Sequence, residues 1–184
     1  MAATLIRPYV TPDRDVIPAL ILPIQRVEFG LAVTVGDQPD LLSIDSYYQA
    51  GAGGFWVAEL DGEIVGTVGL KDISNRNGAL CKMFVAAHAR GRQHRVAVGL
   101  LETLLQHAGQ ARMQNLYLAT AREFVGAHRF YRKSGFREIS RMALPLNFPM
   151  MDMERKFFHM TIVQPATTAA GRPPSRLRGT TSPG

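Results

Sequence analysis

From Met83 to Ala97 the chain runs Met-Phe-Val-Ala-Ala-His-Ala-Arg-Gly-Arg-Gln-His-Arg-Val-Ala. This is a β-type run, then a basic turn containing glycine, then the opening of an apolar-faced helix. The first amides of a helix have no partner within it and sit at the positive end of its dipole, so such a turn attracts anions. Arg90, Arg92 and Arg95 surround those amides. On residue types alone the segment reads equally as a phosphate site or as a solvated basic loop. Elsewhere the chemistry is sparser. Cys81 is the single cysteine and reads as a small core residue, because nothing in the sequence locates a partnering histidine. His107 and His128 lack ligand spacing and read as surface positions.

The elements that must position these residues follow from periodicity. Residues 4–9 form a short strand. A helix is expected over 16–29, weakened by Pro18 and Pro23, and a second short helix over 42–50. Runs 55–60 and 63–70 flank Asp61-Gly62, the pair that suits a type I′ turn, and so make a hairpin. A third strand covers 79–85. Val96, Leu100, Leu101, Leu104, Leu105 and Ala108 recur at steps of three and four, an amphipathic helix ending near Gly109. Strand 115–119, helix 124–133, strand 136–140 and a last strand within 151–160 complete the domain. That order predicts an α+β (α/β-like) fold around one mixed sheet.

Composition sets the outer limits. The chain has 184 residues, enough for one domain, and 46% are hydrophobic. The longest oily stretch, 16–24, is too short to span a membrane and is broken by prolines. No secretory signal is evident, and one cysteine excludes an internal disulfide and any multi-cysteine zinc site, so a cytoplasmic setting is expected. Net charge is +6, but Arg172, Arg176 and Arg178 lie in the acid-free stretch 165–184, which supplies half of it. That stretch of Pro, Gly, Ser, Thr and Arg is expected to be a disordered tail behind a domain covering 1–164. The remaining charge is scattered and the aromatics lack the spacing of stacking platforms. A nucleic-acid partner is therefore not expected, and neither is a membrane partner.

Two blocks, in order, carry a family resemblance. Lys82-Met83-Phe84-Val85, followed by Arg90-Gly91 and Arg92-Gln93-His94-Arg95-Val96-Ala97, resembles the strand end and acetyl-CoA loop (Gln/Arg-x-x-Gly-x-Gly/Ala) of the GNAT N-acetyltransferases. Ala127-His128-Arg129-Phe130-Tyr131-Arg132-Lys133-Ser134-Gly135-Phe136 resembles the second block of the same superfamily. The resemblance covers roughly residues 4–160. It implies a mostly antiparallel sheet flanked by helices, and acetyl-CoA as cosubstrate. It also implies direct acetyl transfer to a primary amine of a small molecule, amino-acid-like compound or peptide. The family's polarising backbone N–H falls at Phe84 and Val85, and the family's pyrophosphate cradle at Arg90, Gly91, Arg92, Gln93, His94, Arg95, Val96 and Ala97. Tyr131 matches the family's general acid; without the resemblance it reads as a packing residue beside Phe130. Homodimers are common in the family. The general base is not readable: Glu59, Glu63, Asp72 and His88 are the candidates, each more often a surface residue.

Arg95 stands where the family's first glycine is expected. With a helical backbone its guanidinium could pair with a phosphate. If the turn needs glycine's freedom, the side chain would instead obstruct the approach. A catalytically silent module of the same fold, binding acyl-CoA or a protein, is therefore the competing reading.

Overall fold

The structure, a computed structural model, describes residues 4–163; the tail expected over 165–184 lies outside the described residues. Among the described residues seven strands make one sheet: β1 (Leu5–Pro8), β2 (Gly54–Leu60), β3 (Glu63–Asp72), β4 (Asn77–Val85), β5 (Asn115–Thr120), β6 (Arg137–Ile139) and β7 (Lys156–Thr161). They lie in the order β1-β2-β3-β4-β5-β7-β6. Every described pairing is antiparallel except β4 with β5. The helices are α1 (Val16–Pro23), α2 (Ile44–Tyr47), α3 (Val96–Gln110) and α4 (Val125–Lys133).

The period of two along β2 sorts the layers. Phe55 and Val57 face Ile17, Ile21, Ile44 and Tyr48, whereas Trp56 and Ala58 face Val96, Leu100 and Leu104 of α3. α1 and α2 thus cover one face and α3 and α4 the other. Each large side chain so buried contributes roughly 1.5–3 kcal/mol. The β2–β3 hairpin turns at Asp61 (φ 52°) and Gly62 (φ 83°), the two positive values a type I′ turn requires.

Three expected boundaries shift for physical reasons. The helix expected over 16–29 stops being α-helical at Pro23, which has no N–H to donate, and 24–28 winds as a wider π-turn closed by Phe29 N to Ile24 O at 3.2 Å. The helix expected over 42–50 is a 3₁₀ turn at Pro39–Leu42 followed by the short α2. The last strand begins at Lys156, because Glu154 closes 151–154 into a turn by accepting the Met151 amide at 2.9 Å. The two histidines read as surface positions are not on the surface. His128 is buried, with Nε2 2.9 Å from Ala121 O. His107 is half-buried, with Nε2 3.0 Å from Ala52 O and its ring against Trp56.

Candidate active site

The site begins where the sheet comes apart. β4 and β5 pair only from Asn77↔Asn115 to Leu80↔Leu118. Beyond that point β4 stays on β3 through Val85↔Gly66, and β5 stays on β7 through Thr120↔Lys156. The two parallel strands therefore diverge, and a cavity of about 570 Å³ opens between them. Cys81 to Val85 line one side, Ala119 to Ala121 the other, with Ala127, Phe130 and Tyr131 of α4 across the gap.

A bulge in β4 sharpens the split. The register slips between Thr67↔Phe84 and Gly69↔Cys81, and Lys82 takes a left-handed backbone (φ 50°). Thr67 Oγ1 stabilises the bulge by donating to Lys82 O at 2.7 Å. Past the bulge, Ala86 N donates to Val65 O on β3 at 2.8 Å. Amide directions alternate along a strand, so the Val85 N–H turns the other way, into the gap.

The basic turn lies at one end of this cavity. Phe84, Val85, Arg90, Gly91 and Ala97 contribute to the lining, whereas Arg92, Gln93, His94 and Arg95 stand outside it and Val96 is buried in the core beneath. Arg90 is already engaged: Nε donates to Val85 O at 2.8 Å, and both terminal nitrogens grip the Glu28 carboxylate on the π-turn. Gly91 has φ 103° with no heavy atom within 4 Å of where a Cβ would stand. Among the described residues no side chain caps α3, and its first turn carries no acid, so its leading amides have no partner from within the helix. This arrangement fits a phosphate-bearing ligand.

Arg95 resolves its two alternatives in an unexpected way. Its backbone adopts glycine's conformation (φ 50°, ψ 23°), while its exposed side chain runs back along α3 to Glu102, Nη2 to Oε1 3.6 Å. It neither fills the turn nor points at it.

Two of the titratable groups that line the cavity have strongly raised pKa values and chemistry to offer, Tyr131 and Glu154. Tyr131 is buried among Phe130, Phe136 and Phe158, its hydroxyl has no protein hydrogen-bond partner among the described residues, and burial raises its phenol well above the ordinary value. It is a proton donor at neutral pH. Glu154 lines the same cavity; burial, reinforced by the charge of Asp40, pushes its carboxyl up from 4.5 to about 7 despite the Met151 amide and the Lys82 charge. Its Oε2 accepts that amide, and its Oε1 accepts nothing from the described residues.

None of the four candidate bases singled out in the sequence lines this cavity. Glu59 pairs with Arg7, Asp72 accepts the amides of Ala52 and Ser74, and Glu63 and His88 are exposed. Cys81 lines the wall, but burial pushes its thiol up to about 12, so it is no nucleophile. Beneath it lies a buried polar knot absent from the sequence reading. Lys82 Nζ donates to Gln38 Oε1 at 2.6 Å and lies 3.4 Å from Asp40 Oδ2, and Tyr48 Oη donates to the same carboxylate at 2.5 Å.

A parallel pair split by a β4 bulge, with a helix N-terminus at the mouth, can be compared with known proteins. The acetyltransferase (GNAT) family model matches residues 21–136. This chain belongs to the GNAT acetyltransferase family. A GNAT-family acetyltransferase of Staphylococcus aureus Mu50 superposes with a TM-score of 0.84 at 34% identity, covering 88% of this chain and all of that one. Among curated proteins, the chain is 32% identical over 107 residues to "Probable N-acetyltransferase camello" of Xenopus tropicalis, covering 58% of this chain and 49% of that protein. It is also 35% identical over 104 residues to N-acetylaspartate synthetase of Mus musculus, covering 54% and 33% respectively. The GNAT chain thus spans about half, or less, of the length of these curated relatives. Among its described residues no helix is long and apolar enough to cross a membrane.

Proposed function

We propose that this GNAT chain, with residues 1–164 as its catalytic domain, is an acetyl-CoA-dependent N-acetyltransferase acting on a primary amine. The family and the names of the relatives support acetyl transfer. The observation that carries the mechanism is that one cavity, opening where β4 leaves β5, is faced by a carboxyl of pKa about 7 and a phenol that stays protonated.

Acetyl-CoA, when bound, supplies the acyl group as a thioester. The amides of residues 91–97 and the start of α3 hold its phosphates. The Val85 amide, aimed into the gap, donates to the carbonyl oxygen as charge develops there, a contribution typically of about 10²–10³ in rate. Glu154 Oε1 accepts the proton that the acceptor amine must lose. Tyr131 Oη delivers a proton to the departing sulfur; burial brings the Glu154 carboxyl near neutrality, where a general base works well, and keeps the Tyr131 phenol protonated. Cys81, an un-ionised thiol, forms no covalent intermediate. A cytoplasmic setting, in which that thiol stays reduced, goes with this reading.

The test is calorimetric titration of acetyl-CoA into the full chain, followed by thiol-release assays over primary amines. Micromolar binding with turnover is the expected result. Absence of binding sinks the assignment, and binding without turnover on any amine makes the chain a silent module of this fold.

A further inference from the structure

The acceptor half of the cavity has a chemistry of its own. Phe29, Phe84 and Phe124 form an edge-to-face cluster, with Phe29–Phe124 centroids 4.6 Å apart and Phe84–Phe124 5.8 Å apart, and all three line the cavity. Met150, Met151 and Met153 line it as well. Thioethers on flexible stems mould to apolar shapes and pack favourably against rings. The wall is thus built to take up a hydrophobic body.

Its charged groups are equally informative. The lining holds two basic side chains among the described residues, Lys82 and Arg90, and neither is available. Lys82 is held by Gln38 and Asp40, and Arg90 is spent on Glu28 and Val85 O. Of the acids, Asp40 is occupied by Tyr48 and Lys82, and Asp37 Oδ2 by the amide and hydroxyl of Thr34. Glu154 Oε1 has no partner among the described residues, and neither do Asp37 Oδ1 and Asp40 Oδ1, so the unengaged charged oxygens of the lining are all acceptors. A ligand carboxylate entering here would lose water and gain no cation, and a buried unpaired charge is strongly disfavoured. A ligand ammonium would meet Glu154.

We infer that the acceptor is a primary amine on an aromatic or branched apolar body that lacks a carboxylate. The inference rests on the acetyltransferase reading and narrows it. It also sets this chain apart from its relatives named for N-acetylaspartate, whose product carries carboxylates.

Phenethylamine and phenylalanine test it, because they share a body and an amine and differ by one carboxylate. With the full chain and acetyl-CoA, kcat/KM is expected to be at least about 100-fold higher for phenethylamine, with aspartate below both. Equal rates, or preference for phenylalanine or aspartate, overturn the inference. Met150→Arg, which places a free cation at the mouth, is expected to narrow the phenethylamine-to-phenylalanine ratio at least tenfold; an unchanged ratio removes the charge argument. If acetyl-CoA binds but no amine is acetylated, the activity reading fails. Calorimetry of the two amines with the protein then still decides: binding of phenethylamine alone upholds the preference, and binding of neither, or of phenylalanine, refutes it.

Discussion

Replacing Glu154 by glutamine separates the cost of its environment from its use. The amide keeps the size of the side chain and an oxygen that can still accept the Met151 N–H, now held at 2.9 Å. It removes only the charge. A folded carboxyl at about 7 against an ordinary 4.5 corresponds to roughly 3 kcal/mol when fully ionised, at 1.36 kcal/mol per pH unit. Water at the cavity mouth reduces this, so about 1–3 kcal/mol is expected. The sign follows from linkage: the folded state holds this proton more tightly than the unfolded chain, so Glu154 costs no stability below pH 4.5 and an increasing amount as pH rises through about 7. Glu154→Gln is therefore expected to match wild type near pH 4 and to exceed it at pH 8, raising Tm by roughly 2–4 °C per kcal/mol in a chain of this size. Acetylation should move the other way. Wild-type kcat/KM is expected to rise through about pH 7, and the variant to be about 10²–10⁴ slower at pH 8. Thermal melts and thiol-release rates across pH 4.5–9 supply both curves. A variant no more stable than wild type at pH 8, or one that keeps the wild-type pH–rate profile, refutes the reasoning.

Three further outcomes follow from the same geometry. Tyr131→Phe is expected to lower kcat by about 10²–10⁴ while changing acetyl-CoA affinity by less than about threefold, since the lost hydroxyl has no protein partner; parallel calorimetry and turnover check this. Arg95→Gly relieves a left-handed residue and is expected to raise stability in urea by up to about 1 kcal/mol with acetyl-CoA affinity unchanged, because its side chain lies along α3. Lys82→Met leaves the buried Asp40 carboxylate without its cation and is expected to cost about 3–5 kcal/mol in urea, with Asp40→Asn in the same chain recovering part of the loss.

The frame of this protein was legible because it is written locally. Alternation on β2, the Asp61-Gly62 turn and the three-four rhythm of α3 each lie within a dozen residues and agree with one another. Tyr131 is singled out by the resemblance to the family of its flanking block, whose glycine and aromatics are also close in sequence; on residue types alone it reads as a packing side chain beside Phe130. Glu154 is not singled out, because its meaning comes from neighbours far along the chain: Asp40 and Lys82 act on it only once the sheet is assembled. The signal available was an acid set among Phe148, Pro149, Met150, Met151 and Met153, a polar intruder in an apolar stretch. Lys82 gave no warning either, since its left-handed bulge lacks the glycine that usually announces one. His128 looked exposed beside Arg129, but its ring packs near Phe158 and its Nε2 reaches Ala121 O.

The short β4–β5 seam also orders the assembly of the chain. β1 to β4 follow one another in the sheet as in sequence, so two hairpin closures, β2–β3 and β3–β4, and the return of β1 onto β2 across α1 and α2 build that blade within the first 85 residues. β5, β7 and β6 form a second blade that needs the crossover through α3 and the late return of β7 between β5 and β6. Only four residue pairs bind the blades along their shared edge. On a ribosome the first blade can close while the second is still being made. The cleft between β4 and β5 is then walled only after the final strand has arrived, so in a half-made chain it stands open on the side of β5.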